Sequence, residues 1–157
     1  MRPRLLTAAA LAAAVATPAL ALDPPSAGLA LHRLAQGDGE TWYGDAGSRF
    51  REESRAYLWV LVVFDRPQTR GGQTAAAVWS RKLIDCDGAT IMTSQIAALG
   101  EDLSVVARQE DMRGGAQPAP AGSLWGRFAD YACGRPLQNV PEAPVTSVAE
   151  ALAARPA

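Results

Sequence analysis

The sequence predicts an α+β fold: an antiparallel β-sheet meander of about six strands, with a C-terminal helix tied to the sheet by one disulfide. Three observations carry that prediction. Apolar runs rich in β-branched and aromatic residues follow one another with only short turns between them, as in a meander. A short amphipathic pattern follows the last run. The chain has only two cysteines, Cys86 and Cys133, behind an N-terminal export signal, and two cysteines in an exported chain are expected to pair.

Residues 1–21 read as a signal peptide. Arg2 and Arg4 give the positive region, Leu5 to Val15 the apolar region, and Ala19-Leu20-Ala21 the small-x-small cleavage pattern. No later run approaches the ~20 apolar residues a membrane span needs. With no cysteine at the cleavage point, no lipid anchor is expected. Export places the protein in the periplasm, with the cell surface or the medium as further destinations.

Residues 22–28 form an extended lead-in, because Pro24 and Pro25 fix the backbone and remove two donors. Residues 29–135 form the folded domain. It begins with a hairpin whose arms, Leu29 to Ala35 and Thr41 to Tyr43, are separated by Gly37-Asp38-Gly39. Gly44 to Arg55 is polar and turn-rich, a connecting loop with one helical turn. Ala56 to Asp65 is the strongest strand; being apolar on both alternating faces, it belongs in the centre of the sheet and covered on both sides.

Pro67 and Gly71-Gly72 mark Arg66 to Gly72 as a loop. The next strand runs from Thr74 to Cys86, and because Ser80, Arg81 and Lys82 interrupt both of its faces, part of it is expected to meet solvent. Asp87-Gly88 is read as a type I′ hairpin turn, Ala89 to Ala97 as the return strand, and Leu103 to Gln109 as the last strand. Arg113 to Gly122 is a Gly, Ala and Pro loop. Ser123 then caps a short helix whose Leu124, Phe128 and Tyr131 share one face, ending near Cys133. Residues 136–157 are rich in Pro and Ala and are expected to be mostly disordered. The capping-box pattern Ser147 to Glu150 opens a segment too short to be stable alone.

Removing Arg2 and Arg4 from fifteen basic residues leaves thirteen against sixteen acidic ones, so nucleic acid is an unfavourable partner. Lys82 is the sole lysine, read as a sign of Arg-biased composition. No residues declare a reaction, a metal site or a cofactor. His32, the only histidine, lacks neighbours for a triad, and Ser123 is better explained as a helix cap than as a nucleophile. Asp85, Cys86 and Asp87 lack the paired spacing of a zinc site. Glu101 with Asp102, and Glu110 with Asp111, read as polar turn residues rather than as a catalytic carboxylate pair.

Trp59 and Trp79 are assigned to the core. Trp42 and Trp125, near element ends, are either capping residues or half-exposed anchors for a partner. Arg49, Arg51 and Arg55, balanced by Glu52 and Glu53, read as a solvated loop.

Five features together resemble the surface-adhesin protein E family of small exported proteobacterial proteins. They are Y-G-D-A-G-S-R at Tyr43 to Arg49, L-W-V-L-V-V-F at Leu58 to Phe64, S-R-K-L-I-D-C at Ser80 to Cys86, P-A-G-S at Pro120 to Ser123, and Cys133. The resemblance implies an antiparallel sheet of about six strands with a C-terminal helix, a cysteine pair bridging the two, and adhesion to extracellular matrix proteins.

The expectation is thus a non-enzymatic exported binding or envelope-associated protein, with a protein partner not yet identified and a homodimer through an edge or face of the sheet. The alternative is a periplasmic inhibitor or accessory protein of an envelope enzyme, using Arg66 to Gly72 or Arg113 to Gly122 as its contact loop.

Overall fold

A computed structural model describes residues 23–110, 114–140 and 143–156. The expected signal peptide at residues 1–21 lies outside them. The core of the molecule is one curled antiparallel sheet with strand order β1-β2-β4-β5-β6-β7, to which two short strands add. β1 (Leu31–Gly37) and β2 (Glu40–Asp45) form the expected hairpin. Asp38 and Gly39 both take positive φ, 55° and 79°, which makes their turn type I′. A 3-10 turn (Ala46–Ser48) and the short β3 (Phe50–Glu52) occupy what reads in sequence as a loop.

β4 (Arg55–Arg70) and β5 (Gln73–Asp85) form the long central hairpin. Arg66 to Arg70 is strand, not loop, and only Gly71-Gly72 turns, both with positive φ. Pro67 is accommodated because the register with β5 slips between Val63 and Gln68, sparing a ladder position that needs its missing N–H. β6 (Thr90–Leu99) and β7 (Val105–Gln109) complete the meander. β8 (Gln117–Pro118) pairs with the start of β6, so part of the Arg113 to Gly122 loop is held to the sheet.

The Asp87-Gly88 turn differs from expectation. Cys86 to Ala89 form a four-residue loop in which Ala89, at φ 47°, is the left-handed residue. The cause is Asp85: its Oδ1 accepts from the N–H groups of both Asp87 and Gly88, holding a side-chain-to-backbone turn that a I′ geometry would break.

β4 is covered on both faces, as its sequence demands. Ala56, Leu58, Val60 and Val62 pack with Ile84 and Ile91 under Phe128, Ala129 and Ala132 of α1 (Leu124–Ala132). Trp59, Leu61 and Val63 pack on the other face with Trp79, Leu31, Tyr43 and Leu99. Trp59 and Trp79 meet edge to face at 6.2 Å.

The second face is closed by the segment expected to be disordered. Val145 exchanges both backbone hydrogen bonds with Leu31, and α2 (Val148–Ala153) buries Ala151 and Leu152 against this core. Its capping box is real: Ser147 Oγ accepts from Glu150 N–H, and Glu150 reaches back to the N–H and hydroxyl of Thr146. Six residues cannot hold a helix alone; apolar burial supplies the difference.

Cys86 and Cys133 are joined, S–S 2.04 Å, across a sequence separation of 47. The bond ties the end of α1 to the β5–β6 loop. Arginines reinforce it by donating to carbonyls on both sides of the bond, two of them at the helix terminus, where intrahelical partners run out. Arg49 donates to Tyr131 O, Arg51 to Cys133 O, and Arg135 to Cys86 O. Of the expected solvated arginines, Arg49 and Arg51 therefore anchor the helix, while Arg55 is exposed.

Closing that loop constrains the unfolded chain by about 4 kcal/mol on the chain-entropy model. Cys86→Ala, Cys133→Ala and the double variant should lose the same stability in urea, within about 0.5 kcal/mol. Additive losses would show that the two sulfurs act separately.

Candidate functional site

α1 covers only part of its face of the sheet. Beyond it, the curl of β2, β4, β5, β6 and β7 leaves an open trough of about 500 Å³. Val62, Val78, Ile96 and Ala98 line its floor, and Phe64 a flank. Most of these side chains are half-buried, so apolar surface remains reachable from solvent. Asp38, Glu40, Gln68, Arg70 and Gln73 contribute polar groups around it.

The inner wall is aromatic. Trp42 of β2 meets Trp125 of α1 edge to face at 6.0 Å and leans on Phe128 at 5.6 Å. Local sequence places Trp125 there. Ser123 caps the helix by accepting from Gly126 N–H, while its own N–H and hydroxyl donate to Pro120 O. The helix start lies so close to that turn that a Cβ at residue 126 would fall 2.2 Å from Pro120 O. Gly126, a weak helix former, is therefore required by packing. Trp42 and Trp125 are each partly buried against the core, and each borders an accessible surface.

Behind this wall sits Lys82. It faces the same side as Leu58, its partner on β4, and is only 4% exposed. Its Nζ donates to Thr93 Oγ1 at 2.7 Å and lies 4.8 Å from the centre of the Trp125 ring. Among the described residues no carboxylate pairs with it. Burial lowers its pKa from the usual 10.5 to about 8. Ser80, next along the same face, is equally buried, so two of the three polar residues are interior and only Arg81 reaches outward, over the Tyr57 ring.

Sequence reasoning missed Lys82 as a site residue. The available signal was its alternation with Val78 and Ile84 on a strand face where Ser80 is the one other polar residue between them.

The remaining candidates are structural. His32 lies 6.0 Å from the Tyr131 ring, and burial raises the Tyr131 phenol to about 12. Asp85 holds its turn and Cys86 its disulfide. Asp102 accepts from Ser104, which lowers its pKa, and Glu101 reaches Arg155. Glu110 lies at the opposite end of β7 beside Arg108, so the two acidic turns do not converge. Asp111 is outside the described residues. No group of three potential metal ligands is found among the described residues, and no helix there is long and apolar enough to cross a membrane.

The architecture is that of a small disulfide-clamped sheet domain with an open apolar trough, and its relatives give it a family. The family model for surface-adhesin protein E matches residues 30–134, and the chain belongs to that family. Two solved structures of Haemophilus influenzae protein E share the fold. The crystal form II structure has a TM-score of 0.52 at 13% identity, covering 67% of this chain and 87% of that one. The second has a TM-score of 0.51 at 14% identity, covering 72% and 91%. No curated protein sequence matches the chain.

Lys82 makes stability depend on pH. Its folded pKa lies below its unfolded one, so between about pH 8 and 10 the unfolded state binds more protons and folding is favoured as pH rises. Lys82→Met should remove that rise and, by replacing an unpaired buried charge with an apolar chain of similar length, match or exceed the wild type at pH 7 in urea melts. A rise that persists in the variant would assign it to another group.

Proposed function

We propose that the chain is an exported, non-enzymatic binding protein of the cell envelope that acts as an adhesin for extracellular matrix proteins. Family membership over residues 30–134 carries the reading. Three of the candidates weighed from sequence support it: Ser123 caps a helix, Asp102 holds a turn, and His32 packs near the Tyr131 ring. The protein-binding surface is assigned to the β4–β5 hairpin. Residues 66–74 are all exposed and project beyond the part of β4 that the core covers. Arg66 and Arg70 supply donors suited to bidentate contacts.

The same projecting hairpin favours a second reading, a periplasmic inhibitor or accessory protein that inserts it into an envelope enzyme.

Surface plasmon resonance of residues 22–157 over purified matrix proteins, and separately over the organism's own envelope extract, distinguishes the two. The adhesin reading predicts saturable binding to at least one matrix protein, weakened about tenfold or more by Arg66→Ala with Arg70→Ala. Because both positions are exposed, the melting temperature should not change. Binding confined to the envelope extract would replace that reading with the second.

A further inference from the structure

The trough has features that adhesion does not use. Its volume of about 500 Å³ falls within the ~300–1,000 Å³ range of small-molecule sites. It is long rather than round: its lining along β5 extends from Ala75 to Lys82, about 23 Å at roughly 3.3 Å per residue. The floor is aliphatic, and the small side chains of Ser80, Ala98 and Ala107 give it depth.

Trp42 and Lys82 line one end, and Trp125, packed against Trp42, backs that wall with the Lys82 ammonium against its ring. That group is 4% exposed, uses one hydroxyl acceptor, and faces an aromatic ring where a counterion would be expected. A buried cation without an anion is costly, and a ligand that supplied the anion would offset the cost. Asp38 and Glu40 line the same trough and offset its cations Lys82 and Arg70, which disfavours ligands carrying several negative charges.

We propose that the trough binds a single-chain amphiphile ending in a carboxylate, of the fatty-acid class. Its apolar chain lies along Val62, Val78, Ile96 and Ala98, and its head group pairs with Lys82. The site shares Gln68, Arg70 and Gln73 with the β4–β5 hairpin, but the Lys82 contact that defines it lies outside residues 66–74, so Lys82→Met tests it whether or not the protein is an adhesin.

The test titrates residues 22–157 with oleate, and in parallel with oleyl alcohol, below the concentrations at which either self-associates. Displacement of a fluorescent fatty acid is the readout. The expected results are saturable one-to-one binding of oleate, a loss of about tenfold or more in oleate affinity with Lys82→Met, and a change below about twofold for the alcohol in the same variant. Ala98→Trp fills the trough from a half-buried floor position and should abolish both. If that variant does not fold by circular dichroism, Val106→Trp at the trough wall serves instead. Absence of saturable binding, binding only to self-associated oleate, equal losses of acid and alcohol with Lys82→Met, or binding indifferent to the blocking tryptophan would each overturn the proposal.

Discussion

β4 carries apolar side chains on both faces, so the sheet cannot leave either side to water. A two-layer protein of this size would ordinarily cover one face and wet the other. Here each face is covered by a different and very short helix. α1 lies over Leu58 and Val60, and α2 over the Leu61, Trp59 and Trp79 side. Neither helix would persist in isolation, so sheet and helices are stable only together.

The two covers are secured differently. α1 is fixed covalently through Cys133 and electrostatically by Arg49 and Arg51, which supply donors to its last carbonyls. α2 depends on a capping box, a two-bond bridge between Val145 and Leu31, and the burial of Ala151 and Leu152. The trough follows from the same constraint. A nine-residue helix is about 14 Å long, shorter than β4 and β5, and the curled sheet beyond its edge stays open. Lys82 sits where the cover ends, buried enough to lose solvent yet at the boundary of an accessible space.

The sheet was legible in sequence wherever side-chain period alone decides: the β1–β2 hairpin, the core of β4, β6, and the face of α1 defined by Leu124, Phe128 and Tyr131. It was illegible where tertiary pairing overrides local punctuation. Pro67 reads as a breaker, but a register slip absorbs it. Asp87-Gly88 reads as a I′ turn, but the Asp85 carboxylate holds another. Val148–Ala153 is too short to propose as a helix until Leu31 and Leu61 are known to need a cover. Lys82 was hidden for a related reason: Ser80-Arg81-Lys82 is a polar triplet, and only the three-dimensional curl shows that two of its members point inward. The family was readable from the order of five weak motifs, whereas the trough, made from five strands, has no linear signature.

The central claim is that a segment of low complexity closes the second core. Ala151 is 1% exposed on the buried face of α2, and glutamate is a good helix former, so Ala151→Glu tests the cover without disfavouring the helix itself. Urea unfolding should show a loss of about 2 kcal/mol or more, with faster amide exchange at Trp59, Leu61 and Val63. An unchanged midpoint and unchanged exchange would contradict the account and leave the second face of the sheet without its cover.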